Sequence, residues 1–171
     1  MTLTSILAGS AAVIAILVAG SYLLPRHIEV TRTATLPVKP EAVMALAASN
    51  IGYQRFNPYL SADPALKIEA FGPETGVGSG FRFDGKDGKG TQTVAEVTPG
   101  SVTYAIDLGA MGTPTQRLAV EAAGDGARVI WSLRADMGMN PVFRVFGLFM
   151  DRMIGKTFEQ GLRNIKTAAA A

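Results

Sequence analysis

Arg82, Glu96, Tyr104, Asp107 and Asp136 are the residues best suited to general acid–base work in this chain. Strand alternation sorts several of them. If Val102, Tyr104, Ile106 and Leu108 share the inward face, Asp107 points out and is a solvated charge. The same rule turns Phe81 and Phe83 inward and Arg82 outward. Tyr104 is then the polar group expected inside, either as a reacting group or as a core aromatic with a satisfied hydroxyl. Nucleophilic chemistry has little to work with. There is one histidine, His27, no cysteine, and no serine in a nucleophile-elbow sequence. The same shortage excludes the usual metal-ligand patterns. Gly76–Gly80 (GVGSG) precedes a strand, not a helix, and Gly85–Gly90 lacks the Lys-Ser/Thr ending of a P-loop, so both read as turns. No residue is assigned a catalytic role, and no cofactor or metal is expected.

Apolar and aromatic side chains are the richer signal. Tyr53, Phe56 and Tyr59 fall within one short stretch, Phe81 and Phe83 alternate on one strand, and Tyr104 and Ile106 alternate on another. Trp131 lies on the inward side of a strand where Val129 and Leu133 alternate with Arg128, Ser132 and Arg134. Near the C-terminus Phe143, Phe146 and Met150 recur at steps of three and four. Together these eleven residues are the candidate lining of an apolar ligand site. Val142–Met150 (VFRVFGLFM) is apolar nearly all round, with Arg144 its sole charge. Phe143, Phe146 and Phe149 therefore either gate such a site or are covered by the short helices of Pro40–Leu60.

The elements that must position these residues follow in order. His27–Leu36 is a strand rich in β-branched residues. Pro40 opens a short helix through Ala48, and Asn50–Leu60 is a second short helix or irregular turn. Strands are expected over Leu66–Phe71, Gly80–Asp84, Thr91–Thr98, Val102–Leu108, Thr115–Ala122 and Ala127–Ala135, separated by Gly/Pro turns. Connections this short suit antiparallel neighbours. Asn140 and Pro141 start one long helix. Its buried face is expected to hold Phe143, Phe146, Met150, Met153, Phe158, Leu162 and Ile165, with Arg144, Asp151 and Glu159 on the solvent side. A seven-stranded antiparallel sheet covered by that helix makes the fold class α+β.

The chain begins differently. None of the first 25 residues is charged, and all 16 Lys/Arg and 14 Asp/Glu lie beyond them. As a helix, Leu3–Leu24 would span roughly 33 Å against a hydrocarbon core of ~30 Å. Three readings compete: a membrane anchor, a cleaved signal peptide, and a buried core helix. The absent basic n-region argues against the second, and the absent polar stripe against the third. Residues 1–25 are therefore expected to be a transmembrane anchor and 26–171 one domain. Arg26 and Arg32 just after the span favour a single-pass protein with that domain on the cytoplasmic side. A net charge of +2 with interspersed signs gives no footprint for nucleic acid.

Val30–Val43 (VTRTATLPVKPEAV), Gly76–Phe83 (GVGSGFRF), Gly88–Thr93 (GKGTQT), Arg128–Ser132 (RVIWS) and Met150–Lys166 (MDRMIGKTFEQGLRNIK) resemble the START-like (SRPBCC) superfamily. The likeness is to its polyketide cyclase/dehydrase-like members with an N-terminal membrane segment. It implies a helix-grip fold, in which the sheet wraps the last helix around a cavity, and a lipid or other apolar small molecule as ligand. Similar proteins often carry Trp where this chain has Tyr53, Phe56 and Phe83. The function expected is a membrane-anchored binding module. A cyclase/dehydratase-like enzyme in the same cavity, or a stress or co-chaperone-type interaction protein, are the alternatives.

Overall fold

A computed structural model describes residues 3–170, without the side chains of residues 3–9, 11 and 14. Helix α1 (Leu3–Ser21) leads into β1 (His27–Leu36), followed by the short helices α2 (Pro40–Ala47), α3 (Asn50–Gln54) and α4 (Pro58–Ala62). Six strands come next: β2 (Lys67–Phe71), β3 (Gly80–Gly85), β4 (Gly88–Thr98), β5 (Ser101–Asp107), β6 (Thr115–Ala123) and β7 (Gly126–Asp136). A 3₁₀ turn, Gly109–Met111, precedes β6, and α5 (Pro141–Ala170) closes the chain. The strands form one antiparallel sheet in the order β1-β7-β6-β5-β4-β3-β2. The strand and turn pattern implied such an antiparallel seven-stranded sheet, and the family resemblance implied its helix-grip arrangement with α5. The aromatic stretch after α2 is two helices, not one, because Asn57 accepts from the Tyr59 amide and Pro58 starts a new turn.

The sheet turns back on itself through short connections. The β6–β7 turn is Gly124-Asp125, with Gly124 at φ 58°, a left-handed conformation that its neighbours' side chains would resist. A register shift between Val94 and Glu96 puts a bulge in β4, a device that bends and twists a strand locally. Alternate residues of the strands then meet in one core: Val102, Leu118, Val129 and Trp131 are fully buried.

Helix α5 runs along β1 with Gly147 against Ile28 and Gly155 against Arg32. Arg32 reaches across Gly155 to Asp151 (2.9 Å) and Glu159 (3.1 Å), which remain exposed on the solvent side as expected. A Cβ at Gly155 would collide with the guanidinium. The buried face of α5 also differs from the expected one. Phe158, Leu162 and Ile165 are buried as expected, but Phe146 and Met153 are exposed and Arg144 is buried. In the first three turns Gly147 and Met150 face β1 and the core, and the apolar residues on the opposite side have no sheet to cover. Arg144 is drawn in because backbone carbonyls at Tyr22 (3.0 Å), Leu24 (3.2 Å) and Gly138 (3.0 Å) accept its hydrogen bonds.

The N-terminal expectation needs correcting in extent. Helix α1 stops after 19 residues at Ser21, and Tyr22–Leu24 continue as a turn. Among the described residues no helix is long and apolar enough to cross a membrane. Met1, Thr2 and most side chains of the first half of α1 lie outside the described set, and with them part of the expected span.

Candidate functional site

The space between the sheet and α5 is closed by α2 and α3, and their junction depends on small contacts. Ser49 accepts from the Gly52 amide (3.1 Å) and so starts α3. A Cβ on Gly52 would stand 2.7 Å from the Leu46 carbonyl oxygen, so only glycine lets α3 fold back on α2. The Asn50 amide donates to Ser79 Oγ (3.0 Å), whose hydroxyl donates to the Glu74 carbonyl (3.1 Å). These bonds fasten α3 over the β2–β3 loop. Arg55 and Asn164 join the same segment to α5, through the Ala168 carbonyl (2.8 Å) and the Phe56 carbonyl (3.3 Å).

Tyr53 is thereby lowered into the middle of an aromatic cluster. Its ring centroid lies 4.7 Å from Phe56, 5.3 Å from Phe81, 5.5 Å from Tyr104 and 6.3 Å from Trp131. Phe158 of α5 stacks on Trp131 at 4.7 Å and 9° between planes. This stack needs Gly161, because a Cβ there would meet the Trp131 ring, standing 2.8 Å from Cη2.

The polar groups in this interior are neutral. Burial pushes the Tyr53 phenol well above its ordinary value, although hydrogen bonds to Gln92 and Gln116 partly oppose the shift. Burial also pushes the Tyr104 phenol well up, and its hydroxyl donates to the Ala47 carbonyl at 2.8 Å. Tyr104 is therefore a core aromatic with its proton committed, the plainer of its two readings. Trp131 Nε1 is buried without an acceptor, and Asn50 Oδ1 is buried without a donor. A void of about 10 Å³ lies among Asn50, Tyr53, Ser79, Phe81, Gln92 and Tyr104, room for about one water. No carboxylate or histidine borders it.

Of the eleven candidate lining residues, Tyr53, Phe56, Phe81, Tyr104 and Trp131 come together. Phe83 sits at the cluster's margin, 6.4 Å from Phe81, and Ile106 is half-buried opposite Gln92. Met150 is half-buried against the core. Tyr59 is 37% exposed on α4, Phe143 is half-buried, and Phe146 is exposed away from the cluster. The short helices leave Phe146 and Phe149 uncovered. Gln92, Gln116, Phe158 and Gly161 were missed as site residues. Strand parity with Val94 and Leu118 could have found the two glutamines, as polar residues on inward positions.

Of the acid–base candidates only Tyr104 lies in this interior; the four charged ones lie outside it. Asp107 is exposed and accepts from the Gly109 amide (2.8 Å), while Glu96 is exposed. Arg82 pairs with Glu69 at 3.5 Å and lies over the Phe71 ring. Asp136 is held far below the usual carboxylate range, first by its hydrogen bond from Arg26 (2.7 Å) and then by the Gly138 amide. His27 is solvent-exposed at 3.7 Å from Asp136. Among the described residues no three His, Cys, Asp or Glu are grouped to hold a metal. An open groove of about 560 Å³ along β2–β4 is lined largely by charged residues, among them Lys67, Asp84 and Lys89.

No curated protein matches this sequence. Residues 27–170 match the family described as polyketide cyclase/dehydrase and lipid transport. Among solved structures, a norcoclaurine synthase point mutant from Thalictrum, in complex with a transition state analogue, aligns with a TM-score of 0.65 at 12% identity, covering 84% of this chain and 94% of its own. The di-domain ARO/CYC StfQ of the steffimycin biosynthetic pathway aligns at 0.62 and 10% identity, covering 84% of this chain but 51% of its own. Ara h 8.0201 aligns at 0.56 and 16% identity, covering 84% and 94%. At these identities the likeness is one of fold.

Proposed function

The chain belongs to the polyketide cyclase/dehydrase and lipid transport family, within the START-like (SRPBCC) superfamily, and on that premise we propose that it binds an apolar small molecule between sheet and α5, at a membrane. The observation that carries the reading is Trp131 Nε1, a buried donor without an acceptor at the centre of an aromatic cluster. Leaving such a donor unpaired costs about 1–3 kcal/mol. A carbonyl or hydroxyl oxygen on an otherwise apolar ligand would remove that cost, and Gln92, Gln116 and the Tyr53 hydroxyl supply further partners. A void of about 10 Å³ admits no such ligand as it stands, so binding requires α5 or the α2–α3 cover to move.

Binding is favoured over catalysis because the ionisable groups of the interior are phenols kept protonated by burial. Neither changes charge near pH 7, where an acid–base catalyst works best. Two features support placement at a membrane: the uncharged first 25 residues, and the exposure of Val13, Ile16 and Leu17 on α1. Arg26 at the root of α1 favours the cytoplasmic side for the domain.

Trp131 is the chain's sole tryptophan, so its fluorescence reports directly on the site. The full chain, purified in mild detergent, is examined by native mass spectrometry and then titrated with a long-chain fatty acid. A copurifying apolar compound, or a saturable change in Trp131 emission abolished by Gln92→Leu/Gln116→Leu, supports binding. A bare chain whose emission does not respond overturns it.

A further inference from the structure

The first three turns of α5 present an inverted pattern. Val142, Val145, Phe146 and Phe149 follow the spacing of one helical face, and that face is turned to solvent: Val142 is 68% exposed and Phe149 57%. Leu148, equally exposed, widens the stripe. A stripe of large apolar side chains on the outside of a helix marks a surface that something else covers. Between Met137 and Met150 the chain carries one charge, Arg144, and that charge is turned inward.

Arg144 also says what covers the stripe. Its guanidinium donates to the Tyr22 and Leu24 carbonyls and lies 5.3 Å over the Tyr22 ring, so the start of α5 is fastened to the foot of α1. The foot itself exposes Leu23 at 89%. A medium that takes up α1 meets the stripe at the same depth. Beyond the stripe the polarity changes at once: Asp151, Arg152 and Lys156 are exposed. That order, apolar face first and basic residues behind it, is how an interfacial helix sits between acyl chains and headgroups.

We propose that the first three turns of α5 lie in the interface of a lipid bilayer beside α1, as a second contact that holds the domain in one orientation. The proposal rests on the reading that α1 enters a membrane. Because α5 also supplies Phe158 and Gly161 to the aromatic cluster, seating its first turns in lipid ties the bilayer mechanically to the interior site.

The chain has no cysteine, so single nitroxide labels can be placed in the full-length protein. Phe149→Cys reports the stripe, Ile16→Cys reports α1, and Asp125→Cys reports the far end of β7 as the aqueous control. The labelled proteins are reconstituted in phosphatidylcholine/phosphatidylglycerol vesicles and exposed to oxygen and to a water-soluble nickel chelate. The expected result is oxygen access exceeding chelate access at Ile16→Cys and Phe149→Cys, with the order reversed at Asp125→Cys. A lipid-like Ile16→Cys with an aqueous Phe149→Cys overturns the proposal and leaves the anchor standing. Aqueous behaviour at both overturns both. A Phe149→Cys label shielded from both reagents, with spin–spin broadening, means that a second copy covers the stripe, and the proposal falls.

Discussion

Adding one methyl group to α5 at two glycines six residues apart has different consequences, because the methyl meets different neighbours. At Gly161 the new Cβ runs into the Trp131 ring. That ring is fully buried, stacked on Phe158 and bounded by Phe56 at 5.7 Å and Tyr53 at 6.3 Å, so it has no free direction in which to retreat. Overpacking a well-filled core costs about 1–3 kcal/mol, and a locked indole places this case near the top of that range. Replacing a helical glycine by alanine returns about 1 kcal/mol. Gly161→Ala should therefore lose about 2 kcal/mol, which for a domain of this size lowers Tm by roughly 4–8 °C. At Gly155 the new Cβ meets the Arg32 guanidinium, the end of a flexible side chain that is 25% exposed. Displacing it forfeits a largely exposed ion pair worth about 0–1 kcal/mol, which the gain in helix propensity of about 1 kcal/mol offsets. Gly155→Ala should leave Tm nearly unchanged. Thermal melts of both variants, followed by near-ultraviolet circular dichroism of the single tryptophan, make the comparison. A Gly161→Ala protein as stable as the parent, with an unaltered Trp131 signal, would show that α5 does not pack on Trp131 as described.

Three further outcomes follow from named contacts. Tyr104→Phe leaves the Ala47 carbonyl without its 2.8 Å donor and should lower stability by about 1–3 kcal/mol, read as an earlier urea midpoint with an unchanged m-value. The alkaline limb of stability should fall steeply. Burial raises the Tyr53 and Tyr104 phenols above the unfolded value of 10.0, so the stability they contribute is complete below pH 10 and is lost as pH climbs beyond it. Each tyrosine adds a slope of about 1.4 kcal/mol per pH unit in that window, so Tyr53→Phe should flatten the decline measured by urea titration between pH 9 and 12. Arg144→Gln strips hydrogen bonds from the Tyr22 and Leu24 carbonyls and should free the foot of α1. Faster tryptic cleavage after Arg26 would show it, and an unchanged rate would refute it.

The succession of strands and their inward faces were legible in the sequence because both follow from local rules, whereas the pairing of β1 with β7 was not. Alternation placed Phe81, Tyr104 and Trp131 on the inward face, and the sheet does bring them together. Gly/Pro turns set antiparallel neighbours, and Asn140-Pro141 marked the start of α5. Which residues of α5 are buried was not legible. Periodicity identifies an apolar face but not whether a partner lies opposite it, so Phe146 and Met153 were read as buried when they are exposed, and Arg144 as exposed when it is buried. The eleven candidate residues divide on the same ground. Phe81, Tyr104 and Trp131 on strands met in the core, while Phe83 and Ile106 stayed at its margin and Tyr59 and Phe146, on helices, depended on where those helices end.

By itself the sequence determined the α+β order of elements, the inward faces of the strands and an uncharged N-terminal segment, since each is written in neighbouring residues through turn chemistry, alternation and composition. Only the tertiary structure decided that the interior is filled by aromatic rings, that Trp131 Nε1 is left without an acceptor, and that α5 turns an apolar stripe outward beside the foot of α1. Those are properties of packing between segments distant in the chain, up to more than a hundred residues apart in the bonds from Arg144 to Tyr22 and from Arg32 to Asp151. Close-packed contacts depend on which side chains meet across the fold, and residue type and spacing along the chain do not specify that.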